Sequence, residues 1–156
     1  MRSTTTSVPT GREEPLNVLI VDDHDTVRSL VAQLVTLWGM APVTASDGMV
    51  ALQELSAHRI SLVLTDYRMP VFNGLELAAR IHADDSTIPV IILSGEEGES
   101  LIEEAIRHGV FAWVQKPFDP HHLRAIVMTA LQGQSTNHTD RTNTGQLSTV
   151  PARAVA

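Results

Sequence analysis

Four places in this 156-residue chain hold residue types able to bind a metal ion or handle a phosphoryl group. Asp22-Asp23 follows the apolar run Val18-Leu19-Ile20-Val21, and Asp66 comes just after Leu62-Val63-Leu64. Ser94-Gly95 follows Val90-Ile91-Ile92-Leu93, and Lys116-Pro117 follows a weaker run at 111–115. Three carboxylates held close repel one another and raise each other's pKa unless a cation sits among them. A hard, oxygen-liganded ion of the Mg²⁺ type suits such a set. Lysine supplies a second positive charge and serine a hydrogen-bond donor. Two carboxylates on a metal, one left as nucleophile, and cations around a transferring group describe a phosphoryl-transfer site.

That chemistry requires the four places to meet, which is the work of the elements carrying them. The three strong apolar runs are apolar throughout, as parallel strands covered on both faces are. A fourth strand is expected at 41–45 and a fifth at 111–115. Val27, Leu30, Val31, Leu34, Val35 and Trp38 recur at helical spacing, with Gly39 as the stop. This spacing puts Trp38 in the core. Leu123, Ile126, Val127, Ala130 and Leu131 repeat the pattern after the cap Asp119 and the first-turn Pro120. Weaker helices are expected at 48–57, 74–83 and 99–108. Strands alternating with helices imply an α/β, doubly wound, five-stranded parallel sheet covered on both faces. Pro42 puts the second strand at an edge, as order 2-1-3-4-5 requires. Ligands in such folds bind at the carboxyl ends of the strands, where the order switches between the first and third. Neighbouring strands lie ~4.8 Å apart, so the acids, the hydroxyl and the ammonium fall within reach of one small ligand.

Composition narrows the function further. Eleven Lys+Arg against eighteen Asp+Glu leave a net charge of −7, and Lys116 is the only lysine. The stretch 15–133 alone holds seven basic and fifteen acidic residues, so the acidity belongs to the expected domain and disfavours nucleic acid. Residues 1–14 and 134–156 are expected to be flexible tails, rich in Ser, Thr and Asn. The absence of cysteine excludes disulfides and thiolate chemistry. No apolar run reaches the ~20 residues needed to span a bilayer, so a cytoplasmic location is expected. The seven histidines do not suggest a metal site by spacing; adjacent His121 and His122 point ~100° apart on a helix. Asp84-Asp85 sits at the opposite end of the sheet and reads as a solvated loop, and Asp47-Gly48 as a turn opening a helix.

The set Val21-Asp22-Asp23, Asp66-x-x-Met69-Pro70-x-x-x-Gly74, Ser94-Gly95 and Lys116-Pro117-Phe118 resembles the receiver domain of bacterial two-component response regulators. The resemblance covers nearly all of 15–133 and implies a flavodoxin-like fold. It implies Asp66 as phospho-acceptor, receiving its phosphoryl group from a sensor histidine kinase or a histidine phosphotransfer domain. Asp23, Asp22 and the Arg68 backbone carbonyl would hold Mg²⁺ (or Mn²⁺) together with Asp66. Lys116, through a cis bond to Pro117, would pair with the phosphoryl group. Ser94 would swing to it, and Trp113, where Tyr or Phe is more usual, would follow inward. Arg68 and Glu96 occupy positions that tune phosphoryl lifetime in this family; their opposite charges could pair across the mouth of the site and slow the entry of water. A stand-alone receiver would signal by protein contact with a downstream target, through residues 102–107, Trp113 and Leu123. Phosphorylation-dependent homodimers are a further expectation.

Asp23-His24-Asp25-Thr26-Val27 also matches the nucleophile signature of haloacid-dehalogenase-type phosphatases, with Asp23 attacking. Against this alternative, the acidic pair expected after the lysine is missing and no cap domain fits. A flavodoxin-like phosphate cradle is disfavoured because Asp22, Asp23 and Asp25 would repel a phosphate. An unphosphorylated pseudo-receiver would leave the complete set of acids, hydroxyl and lysine without a use.

Overall fold

A computed structural model of the chain describes residues 13–135. The tail segments 1–12 and 136–156 lie outside the described residues. In chain order the elements are β1 (Asn17–Val21), α1 (Asp25–Leu37), β2 (Ala41–Ala45), α2 (Gly48–Ala57), β3 (Ile60–Asp66), α3 (Gly74–Asp84), β4 (Val90–Ser94), α4 (Glu99–Arg107), β5 (Ala112–Gln115) and α5 (Pro120–Ser135). All strands are parallel, in the order β2-β1-β3-β4-β5. Pro42 therefore does lie on an edge strand, where a missing N–H is tolerated.

Alternation along the strands divides the apolar side chains between the two faces of the sheet. Leu19, Val21, Val63, Val90 and Ile92 pack with Ala51 of α2, Leu77 and Ile81 of α3 and Ala105 of α4. Val18, Ile20, Leu62, Leu64, Ile91 and Leu93 pack with Val31 and Val35 of α1 and Leu123, Ile126 and Val127 of α5. Fully burying a side chain of this kind contributes about 1.5–3 kcal/mol. The sheet is thus fixed from both sides, and its carboxyl edge becomes a rigid platform.

The helices start where their caps allow. Asp47 accepts a hydrogen bond from the Val50 N–H at 2.9 Å, and Asn73 and Glu76 form a reciprocal capping box at the start of α3. The Asp119 carboxylate accepts from the His121 N–H at 2.8 Å and so caps α5. That helix continues to Ser135, the last of the described residues.

Two expectations for α1 need correction. Leu30 is 50% exposed, because it lies about 100° from Val31 around the helix and so leaves the buried stripe. Trp38 is only half-buried, since it caps the helix and packs on the edge of the α1–α5 face rather than within it.

Candidate functional site

Asp22 is the first residue beyond β1. Its N–H donates to the Ala45 carbonyl at 3.1 Å, and its side chain is nearly buried, with the residue 3% exposed. The Arg28 guanidinium donates to the Asp22 carbonyl at 2.7 Å, which ties the first turn of α1 to the end of the strand. Asp66 ends β3 and is 8% exposed. Lys116 follows β5, with its N–H donating to the Ser94 carbonyl at 2.7 Å and its bond to Pro117 cis. This anchoring aims the ammonium back across the edge of the sheet. Lys116 Nζ lies 3.2 Å from Asp22 Oδ2 and 3.2 Å from Asp66 Oδ1.

Asp66 Oδ1 also accepts from the Tyr67 N–H at 2.8 Å. Among the described residues, Oδ2 receives no hydrogen bond. Burial pushes the Asp66 carboxyl above its ordinary value, Lys116 opposes this, and the Asp22 charge adds to it. Ser94, 2% exposed, accepts from the Glu96 N–H at 3.0 Å through its hydroxyl oxygen. Asp23 is exposed at the rim.

The loop from β3 to α3 forms the floor of a cleft of about 500 Å³ lined by Asp23, Tyr67, Arg68, Met69, Pro70, Asn73 and Glu96. The Arg68 guanidinium pairs with the Glu96 carboxylate across this cleft. Gly74 lies so close to the strand end that a Cβ there would fall 2.5 Å from the Asp66 carbonyl oxygen. Its N–H donates to Tyr67 at 2.8 Å, so only glycine lets α3 begin against the acceptor. Val71 holds φ at 77°, a strained conformation for a β-branched residue.

The family model of the response regulator receiver domain matches residues 18–128. The chain belongs to the response regulator receiver domain family. Receivers are phospho-accepting signalling domains, and phosphorylation and magnesium binding at an acidic pocket are typical of them. This receiver is 34% identical over 113 residues to the chemotaxis protein CheY1 of Helicobacter pylori (strain J99), covering 70% of this chain and 91% of that protein. It is 36% identical over 118 residues to the regulatory protein AtoC of Escherichia coli (strain K12), covering 76% of this chain but only 26% of AtoC. Among solved structures, the signal receiver domain of an HD domain-containing protein from Pseudomonas fluorescens Pf-5 superposes with a TM-score of 0.75 at 28% identity, over 80% of this chain and 93% of that one. The doubly wound fold in order 2-1-3-4-5 is thus that of the CheY-like receivers.

In this receiver Asp22, Asp66, Ser94 and Lys116 come together as the sequence led us to expect, with Asp23 beside them. The phosphatase alternative gains nothing from the comparisons. Its second carboxylate, Asp25, is 88% exposed and turned to Arg28, away from the cluster. Trp113 is half-buried, its ring 5.2 Å from that of Tyr67 and tilted by 51°. Leu123 is fully buried under the sheet, so it cannot belong to a contact surface. Asp84 and Asp85 are exposed, as expected, and hydrogen bonds from Thr87 lower the pKa of Asp85.

Sequence reasoning missed His24. One of its ring nitrogens and one oxygen each of Asp22, Asp23 and Asp66 all lie within 4.8 Å of one another. The available signal was adjacency to the acidic pair, which the emphasis on helical histidine spacing passed over. Among the described residues no helix is long and apolar enough to cross a membrane.

Proposed function

We propose that Asp66 is the phospho-acceptor of this receiver, with Asp22, Asp23, Asp66 and the Arg68 backbone carbonyl holding Mg²⁺ (or Mn²⁺) and Lys116 and Ser94 taking the phosphoryl oxygens. The observation that carries this reading is the buried Asp66 carboxylate, with Oδ1 held by Lys116 and Tyr67 and Oδ2 receiving no hydrogen bond among the described residues. The carboxylate cluster fits a hard dication: its donors lie within 4.8 Å of one another, and among the described residues a single Lys or Arg, Lys116, offsets the three carboxylates by pairing with Asp22 and Asp66. When bound, that ion supplies positive charge that offsets the carboxylates and the incoming phosphoryl oxygens.

The residues of the chain do the rest. Asp66 Oδ2 attacks phosphorus while the P–N bond to the donor histidine breaks, and the electron pair returns to the imidazole nitrogen, which takes up a proton. Lys116, anchored through its own backbone, needs only a short movement from Asp66 Oδ1 to a phosphoryl oxygen. The Ser94 oxygen accepts from Glu96, which leaves its proton available to donate to the same group. Trp113 then follows Ser94 inward as the switch. The Arg68–Glu96 pair narrows the path of water to the acyl phosphate and lengthens its life.

The phosphoryl donor is a sensor histidine kinase or a histidine phosphotransfer domain, which implies a cytoplasmic site of action. A downstream protein reads the change across a groove of about 720 Å³ framed by Ile102, Trp113, Phe118 and His122. A phosphorylation-dependent homodimer is a second output. Incubation with Mg²⁺ and a small phosphoryl donor, followed by peptide mapping, should place an adduct on Asp66 that is lost in Asp66→Asn. An adduct on Asp23, or none with any donor, would overturn the reading. In the same assay Arg68→Ser should shorten the adduct's half-life, and an unchanged half-life would remove the gating role.

A further inference from the structure

Among the described residues His24 is the one imidazole in the acidic cluster, and none of the roles above uses it. It caps α1 with extended backbone (φ −92°, ψ 112°), and its side chain makes no capping hydrogen bond. Its N–H donates to Asp22 Oδ1 at 2.8 Å, closing a turn that brings the imidazole back to the two carboxylates. Nδ1 lies 3.1 Å from Asp23 Oδ1 and 3.3 Å from Asp22 Oδ1. In an octahedral shell with bonds of about 2.1 Å, adjacent donors are about 3.0 Å apart and opposite ones about 4.2 Å. The two histidine–carboxylate distances therefore suit neighbouring vertices of one shell.

The surrounding charges leave that face to an incoming cation. Lys116 engages Asp22 Oδ2 and Asp66 Oδ1, on the other side of the Asp22 carboxylate. Arg28, the nearest arginine in sequence, is turned to Asp25 and to the Asp22 backbone carbonyl. Among the described residues, His24 is the only basic side chain within 4.0 Å of the Asp23 carboxylate and of Asp22 Oδ1. The His24 side chain is 71% exposed, so the imidazole can adjust at the rim without dismantling packed structure.

We propose that His24 Nδ1 is a ligand of the divalent cation and shifts the site's preference from Mg²⁺ toward transition ions that accept nitrogen. This rests on the cation site described under the proposed function. Magnesium holds oxygen donors and gains little from imidazole, whereas Mn²⁺, Co²⁺ and Zn²⁺ accept it readily. His24 would thus set which ion occupies the site, while the carboxylates set that an ion binds at all.

Tag-free full-length chain loaded with Mn²⁺ tests this by electron spin echo spectroscopy, which detects a directly bound imidazole nitrogen. The expected result is a strong ¹⁴N coupling in the wild type that disappears in His24→Asn while Mn²⁺ stays bound. Asparagine is a good helix cap, so the variant keeps α1. The ratio of Mg²⁺ to Mn²⁺ dissociation constants should also fall about tenfold in His24→Asn. Bound Mn²⁺ without ¹⁴N coupling, or an unchanged ratio, overturns the role of His24 alone. Failure of the wild type to bind Mn²⁺ at all would overturn the cation site and this inference together.

Discussion

Asp66 has to be ionised to attack phosphorus, yet its surroundings work against the charge. Its carboxyl is held above the ordinary value, chiefly by burial; Lys116 opposes the rise and the Asp22 charge adds to it. A carboxyl held above its unfolded value binds more protons folded than unfolded, so its contribution to stability falls as pH rises through the carboxyl range. In metal-free buffer at pH 7, Asp66→Asn should therefore be more stable than the wild type. The difference should narrow as the pH falls and the wild-type carboxyl becomes protonated. Urea denaturation of both proteins across that range measures it, and an Asn variant no more stable at pH 7 would contradict the balance described. The nucleophile is thus strained electrostatically before its substrate arrives, a state that an added cation relieves.

The loop between β3 and α3 shows how an element places such a residue. Its backbone turns away from Asp66, passes the strained Val71, and returns so that Gly74 touches the carbonyl it left. The cap at Asn73 then starts α3, and Leu75 and Leu77 take the helix into the core. Gly74→Ala would force a methyl group to within 2.5 Å of the Asp66 carbonyl oxygen. Overpacking of this kind costs about 1–3 kcal/mol, and here the strain falls on the acceptor's own backbone. The variant should lose stability of that order in urea denaturation and also accept phosphoryl more slowly. Normal stability with a normal rate would show that the close approach can be relaxed elsewhere.

At the scale of the molecule, one sheet joins two apolar layers, with α1 and α5 on one face and α2, α3 and α4 on the other. Neighbouring residues of one strand serve different layers: Val63 faces α3 while Leu64 faces α5. Removing either side therefore exposes the same sheet, and the two layers should unfold together. Leu64→Ala should cost about 2–5 kcal/mol and still give a single transition by calorimetry. A biphasic transition would mean that the α1–α5 layer can detach while the other remains. The shared sheet also explains why four residues distant in the chain hold fixed distances at its carboxyl edge.

The amino-acid sequence determined the element order, the edge position of β2, and the meeting of Asp22, Asp66, Ser94 and Lys116. These follow from periodicity and parallel topology, which act through local spacing and strand separation. The Arg68–Glu96 pairing was expected from the resemblance to receivers, whose lifetime-tuning positions carry opposite charges in this sequence. Only the tertiary structure decided how each helix is rotated on the sheet, and so why Leu30 is exposed and Leu123 is wholly buried. A helical stripe is wider than the groove it meets, so spacing alone cannot choose its centre. Tertiary structure likewise brought the His24 ring to the acidic pair. Adjacency in the chain says which residues are near, but the direction of a side chain depends on the turn that Asp22 closes with its own carboxylate.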